Sequence, residues 1–298
     1  MRNKFISTLL GLARVDPRIT IVAADIGGGV LEPFRDELPD QFVDVGIAEQ
    51  NAVGVAAGLA LSGRIPYFYT IVPFATARPF EQIQVDVSYM ETNVRIVGVG
   101  SGFSYGAQGA THHGITDISL MRALPNMRIM APCGTNEAAS VARISTQRTG
   151  PMYIRLGSTG EPDYGYDDIE FGRLKQLRSA SVPGNPAIIA TGAIMTEALL
   201  AADELDADLY SAHTLKPFDA PAIERLIDAG APIVTVEEHN IIGGLASIVS
   251  EIIARRGKAA TLIPFAVPDR HSHFIGDQSF IRARFGLTDL ATEIRAKL

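Results

Sequence analysis

Short apolar runs recur along the chain and alternate with stretches of helical periodicity. A strand covered on both faces by helices is apolar at every position, so this rhythm predicts parallel βαβ units. The first part reads as a helix over 2–14, with Phe5, Leu9 and Leu12 at helical spacing. Strands follow over 19–24, 42–45, 65–70 and 94–99, with a helix from about Pro79. The strand over 19–24 ends at Asp25 and a turn at Gly27, Gly28 and Gly29. Further strands are expected over 128–130 and 152–156. The second part repeats the rhythm, with strands over 187–190, 208–211, 233–236 and 261–265. Its helices start at Met195, after Asp219-Ala220-Pro221, and at Gly244, and a last one closes the chain. Asp219 suits an N-cap and Pro221 a first helical turn.

The stretch 42–63, FVDVGIAEQNAVGVAAGLALSG, organises the rest. It reads as a strand, a glycine turn, a carboxylate at Glu49, and an Ala/Gly helix with Gly54 and Gly58 one turn apart. That acid faces the crevice outside the carboxyl ends of a parallel sheet, where α/β folds bind ligands. A glutamate in a first helical turn also complements the macrodipole with no further role. A second unusual stretch, 98–114, holds six glycines and no apolar periodicity, as a functional or mobile loop does.

Between 157 and 186 the composition shifts to Gly, Pro, Asp and Tyr. The expected division is therefore one domain over 1–160, a linker over 161–186 and a second domain over 187–298. The fold class is α/β, two doubly wound domains with mostly parallel sheets.

Composition narrows the function. At 298 residues, 47% hydrophobic and 20% charged, the chain can bury two cores. A net charge of -7 without any block of like charge argues against nucleic acid as a partner. The one cysteine, Cys133, rules out an internal disulfide framework and fits a reducing cytoplasm; it reads as a small buried hydrophobe. The run over 52–61 is far shorter than the ~20 residues that span a bilayer, and Met1 to Ala13 reads as a helix rather than a leader.

Three polar features fall on loops after strands of the first part: Glu49, the segment 106–113, and the aromatics Tyr67, Phe68, Tyr69 and Phe74. A carboxylate buried beside an aromatic wall can exchange a proton with a heterocycle's ring nitrogen. The aromatics equally suit a strand core. His112 and His113 would point to different sides of an extended segment, so at most one faces a pocket. His271 and His273, with Asp269 and Asp277, lack a third histidine or cysteine at ligand spacing. Glu237-Glu238-His239 suits either a domain joint or a partner contact. Neither a phosphate-cradling Walker loop nor a dinucleotide fingerprint is present. A Gly-Asp-Gly segment of the kind that opens a magnesium-diphosphate site is also missing.

At these residues the chain resembles the transketolase family of thiamine-diphosphate enzymes, in its pyrimidine-binding and C-terminal domains. The resemblance rests on DVGIAEQNAVGVAAGLALSG, ATHHGITDISLMRALPNMRIMAP and VEEHNIIGGLASIVSE, and it runs over essentially the whole chain. The diphosphate-binding domain that normally precedes them is not in the sequence, so the resemblance implies the smaller subunit of a split transketolase. It implies thiamine diphosphate as cofactor, with Mg2+ bound mainly by a larger partner subunit and by no residue here, and an assembly of two copies of each chain. Glu49 would bond the aminopyrimidine ring nitrogen, Phe74, Tyr69 and Ile71 would line the cofactor, and His112 would bond the donor's oxygens. A two-carbon ketol unit would pass from a ketose to an aldehyde.

The departures concern the substrate. Ile71 stands where transketolases usually place an aromatic, Gln108 where they place an acceptor-reading Asp, and Gly100 where they place a histidine. Ser158 replaces a phosphate-binding Arg, while Arg2 keeps the place of a second. Losing a bidentate guanidinium weakens phosphate recognition, so an acceptor other than an ordinary sugar phosphate is expected. Two further readings are the β subunit of a 2-oxo acid dehydrogenase's decarboxylating component and a non-catalytic regulatory subunit of the same fold.

Overall fold

In the computed structural model, which describes residues 1–26, 28–158 and 160–298, the apolar runs become the inner strands of two sheets. The first part supplies β1 (Ile19–Ala23), β2 (Phe42–Asp44), β3 (Ile65–Ile71), β4 (Arg95–Val99), β5 (Arg128–Met130) and β6 (Met152–Leu156). The second supplies β7 (Lys175–Arg178), β8 (Ala187–Thr191), β9 (Asp208–Ser211), β10 (Thr214–Lys216), β11 (Ile233–Asn240) and β12 (Leu262–Val267). Strand order is β10-β5-β6-β4-β3-β1-β2 in one sheet and β12-β11-β8-β9-β7 in the other. All pairings are parallel except β10 on β5 and β7 on β9. Every residue of β1, β4, β6 and β8 is buried, as strands covered on both faces must be. The architecture is α/β, with helices on both faces of mostly parallel sheets.

Two strands fall where the apolar pattern is weak. β7 (KQLR) lies within the stretch read as a linker and forms the antiparallel edge of the second sheet. β10 leaves the second part to close the edge of the first sheet. The expected turn at 27–29 is described only from Gly28 onward; Gly27 lies outside the described residues.

The helix Glu49–Leu61 packs Ala52, Val53 and Ala56 on the face of the first sheet that carries Phe68 and Ile96. Tyr67 and Tyr69 point to the other face, into a core shared with Phe5 and Leu9 of the helix Arg2–Ala13. Alternation along β3 therefore separates neighbouring aromatics onto opposite sides.

A polar joint ties the two parts together. Arg155, at the end of β6, and Asp117 form an ion pair of 2.8 Å, each side chain only 1% exposed. The same guanidinium donates to the carbonyls of Gly114 (2.7 Å) and Glu238 (3.0 Å). Glu238 on β11 accepts a two-point bond from Arg282, and Glu237 accepts from the first N–H groups of the helix Leu245–Arg256 at 2.7 and 2.8 Å. The Glu237-Glu238-His239 run is thus buried packing at the joint.

Candidate active site

The order of the first sheet places β1 beside β3 while β2 lies outside β1, so the connection reverses there. Ligands of open α/β sheets bind at the carboxyl ends of strands at such a reversal. At the end of β2 the Asp44 carboxylate accepts from the N–H groups of Asp25 (3.2 Å) and Gly46 (2.9 Å), holding the ends of β1 and β2 together. Gly46 turns the chain with φ +69°, a left-handed value that a side chain strains to adopt. Three residues later Glu49 opens its helix, with its side chain 5% exposed.

A carboxylate so far from water needs a partner. It is Arg78, whose Nη1 donates to Glu49 Oε1 at 2.6 Å. Arg78 follows the short helix Val72–Thr76 beyond β3, where Pro73 occupies the first turn. Its guanidinium lies 4.1 Å from the centroid of the Phe74 ring. Phe74 in turn meets His112 edge-on, with ring centroids 5.3 Å apart. Glu49, Arg78, Phe74 and His112 therefore form one line of contacts across the loops after β2, β3 and β4. A cleft lined by Ile47, Ala48, Gln50 and Asn51 opens beside Glu49 and Arg78.

The two histidines part company. His112 is half-exposed and its Nδ1 pairs with the Thr111 hydroxyl at 3.0 Å. His113 is buried edge-on against Phe103, and burial lowers its affinity for a proton. The glycine-rich segment folds as two single turns, Gly106–Gln108 and Ala110–His112, closed where Gly102 and Gly114 exchange N–H to carbonyl bonds of 2.9 Å. With Gly114 also held by Arg155, His112 sits on an anchored loop.

The remaining residues singled out from the sequence lie elsewhere. Tyr69 is fully buried on the sheet face opposite the Glu49 helix, its hydroxyl unpaired and held protonated by burial, so it does not face Glu49. Ile71 ends β3 on that same side, half-buried. Gln108 is exposed on its turn. Ser158 lines a groove with Asn3, Lys4 and Ser7 of the first helix, and Arg2 beside it is half-buried, with Nε 3.3 Å from Asn3 Oδ1. Cys133 is buried under the Ser211 hydroxyl, and burial pushes its thiol up. No cluster of three or more His, Cys, Asp or Glu able to hold a metal occurs among the described residues, and His271 and His273 are exposed. Arg78 carries no signal in the sequence, since it meets Glu49 across 29 residues.

Residues 1–159 match the family model of the transketolase pyrimidine-binding domain and residues 185–288 that of the transketolase C-terminal domain. The chain is 38% identical over 295 residues to an apulose-4-phosphate transketolase subunit of Phocaeicola vulgatus, covering 96% of this chain and 93% of that one. It is 33% identical to the 6-deoxy-6-sulfo-D-fructose transketolase subunit of a Clostridium species, covering 97% and 90%. Among solved structures, a split-gene transketolase, an inactive β4 tetramer, superposes with a TM-score of 0.89 at 31% identity, covering 99% of this chain and 97% of that one. On sequence and on fold alike, the chain belongs to the transketolase family.

Proposed function

We propose that this chain is the smaller subunit of a two-chain, thiamine-diphosphate-dependent transketolase, moving a two-carbon ketol unit from a ketose to an aldehyde. One observation carries the reading: a buried carboxylate, Glu49, beside an aromatic face, Phe74, within reach of a histidine, His112. The Arg78 guanidinium shows that a flat, cationic N–H donor fits between that carboxylate and that face, which is what an aminopyrimidine ring asks of a site. Thiamine diphosphate supplies the carbanion chemistry when bound. Glu49 holds or returns the proton at the ring nitrogen, Phe74 packs on the ring, and His112 bonds the donor's oxygens from its anchored loop. Magnesium and the diphosphate belong to the larger subunit, in an assembly of two copies of each chain in the cytoplasm. No helix among the described residues is long and apolar enough to cross a membrane.

The division into 1–160 and 187–298 joined by 161–186 is supported by the spans of the two family models. The acceptor, on this reading, is not an ordinary sugar phosphate. Gln108 and Ser158 are neutral where the family resemblance calls for an Asp and an Arg; of the two arginines that resemblance calls for, Arg2 is kept, and Lys4 lines the groove with Ser158. Relatives named for apulose 4-phosphate and for a sulfosugar support a specificity that varies within the group. The test is ketol transfer by this chain alone and mixed with its co-encoded larger subunit, against a panel of phosphorylated and unphosphorylated aldehydes. Transfer in the mixture alone, poor with pentose and triose phosphates, is expected. Efficient turnover of those phosphates would sink the acceptor claim, and carbon dioxide release from 2-oxo acids would sink the reaction.

A further inference from the structure

We infer that Arg78 is a latch that occupies the pyrimidine slot, in the assembled enzyme as in the single chain, and must leave it when cofactor binds. The inference rests on the proposed cofactor site. The guanidinium makes both contacts that the slot offers a ring: Nη1 donates to Glu49 Oε1 at 2.6 Å, and its carbon lies 4.1 Å from the Phe74 centroid. A planar cation with in-plane N–H donors is the side chain that most closely copies a protonated aminopyrimidine in shape, charge and hydrogen-bonding edge. The two cannot share one ring face and one carboxylate oxygen.

Exposure fits this exchange. Glu49 is 5% exposed but Arg78 is 45% exposed, so the guanidinium lies between the carboxylate and solvent and can swing outward. Among the described residues the guanidinium is held by the Glu49 carboxylate and by the Phe74 ring face, the two contacts that an entering ring would replace. The latch keeps a buried carboxylate from standing unpaired while the site is half-built, an arrangement strongly disfavoured in a low-dielectric interior. Exchange of one N–H donor for another leaves Glu49 paired throughout. A site closed by its own side chain for most of the time binds its ligand more weakly by the open fraction. Arg78 therefore weakens cofactor binding, and removing it strengthens binding.

The experiment titrates thiamine diphosphate with Mg2+ into the assembled two-chain complex by calorimetry, for wild type, Arg78→Ala and Arg78→Lys. With a slot latched about nine-tenths of the time, Arg78→Ala binds about 10-fold tighter than wild type. Arg78→Lys, which keeps the charge but loses the stacked fork, lies between them. Melting of the isolated chain falls in Arg78→Ala, because Glu49 is left alone. A merely structural arginine would lower melting without tightening the cofactor. Equal or weaker binding by both variants in a complex whose wild type binds cofactor overturns the latch and leaves the functional reading standing. A wild-type complex that does not bind thiamine diphosphate removes the reading and the latch with it. The lysine variant keeps the comparison open should the alanine variant fail to fold.

Discussion

Replacing Arg155 by Met tests whether the buried joint holds the histidine loop. Arg155 and Asp117 are each 1% exposed, and the Asp117 Oδ2 atom accepts from Arg155 Nε at 2.8 Å and from the Tyr153 hydroxyl at 2.7 Å. Without the guanidinium, Asp117 keeps one neutral donor, and its Oδ1 already has no hydrogen-bond partner. Breaking a buried ion pair from one side costs roughly 3–5 kcal/mol, because a charge is left uncompensated. The carbonyls of Gly114 and Glu238 also lose a donor, each worth about 1 kcal/mol or more when buried. The expected loss is therefore roughly 5–7 kcal/mol, a large share of the roughly 5–15 kcal/mol that holds a domain folded. The assay is urea unfolding of the isolated chain followed by circular dichroism, with Asp117→Leu and the Asp117→Leu/Arg155→Met pair completing a cycle. Replacing both partners with apolar groups restores most of the loss, giving a coupling of about 2 kcal/mol or more. A single Arg155→Met cost below about 1 kcal/mol, or additive singles, would refute the reasoning.

Three further outcomes follow from other positions. Gly102 has φ +61° and a Cβ there would lie 2.7 Å from the Glu238 side chain, so Gly102→Ala loses more than about 1 kcal/mol in the same unfolding assay. Nothing lies within 4 Å of where a Cβ would stand on Gly54 or Gly58. Alanine at either site therefore stabilises the isolated helix by about 1 kcal/mol, while gel filtration shows weaker assembly with the larger subunit if that bare face is covered there. Burial raises the Glu237 carboxyl to about 7 from an ordinary 4.5, against the pull of two helix N–H groups. The folded chain thus holds that proton more tightly than the unfolded one. Its contribution is complete below about pH 4.5 and lost as pH rises through about 7, on the order of 3 kcal/mol. His239, lowered by burial from 6.5 to about 4, works in the opposite sense, losing stability as pH falls through that window. His239 acts alike in both proteins, so the stability difference, wild type minus Glu237→Gln, is expected to fall between about pH 4.5 and 8 in thermal unfolding, and a difference that stays flat across that window refutes the assignment.

The strands β5, β6 and β9 coincide with their expected ranges: β6 is buried throughout, while β5 and β9 keep buried Ile129, Met130, Leu209 and Ser211 beside half-buried positions. β7 escapes the apolar signal because an edge strand half-open to water carries Lys, Gln and Arg. The helix Thr135–Gln147 escapes it because its buried face, Glu137, Ala138, Ala139, Ser140, Val141, Ala142 and Ser145, holds one large aliphatic side chain among small and polar ones. In the site, Glu49, Phe74 and His112 are legible as unusual residues after strands, and the fold brings them into one line. Tyr69 shares the same aromatic cluster, but its parity on β3 sends it to the far face. Arg78 is not legible, since an arginine between Ala77 and Pro79 gains meaning only when β2 and β3 are placed near each other.

The most direct test of the account is cofactor titration and ketol transfer with this chain alone, the larger subunit alone, and the two mixed, using wild type and Glu49→Gln. Binding and transfer in the wild-type mixture alone are predicted. The Glu49→Gln mixture assembles but loses transfer by about 100-fold or more, the usual worth of a positioned proton donor. Tight thiamine diphosphate binding by this chain alone, or undiminished transfer by Glu49→Gln, would contradict the assignment of half a cofactor site built on Glu49.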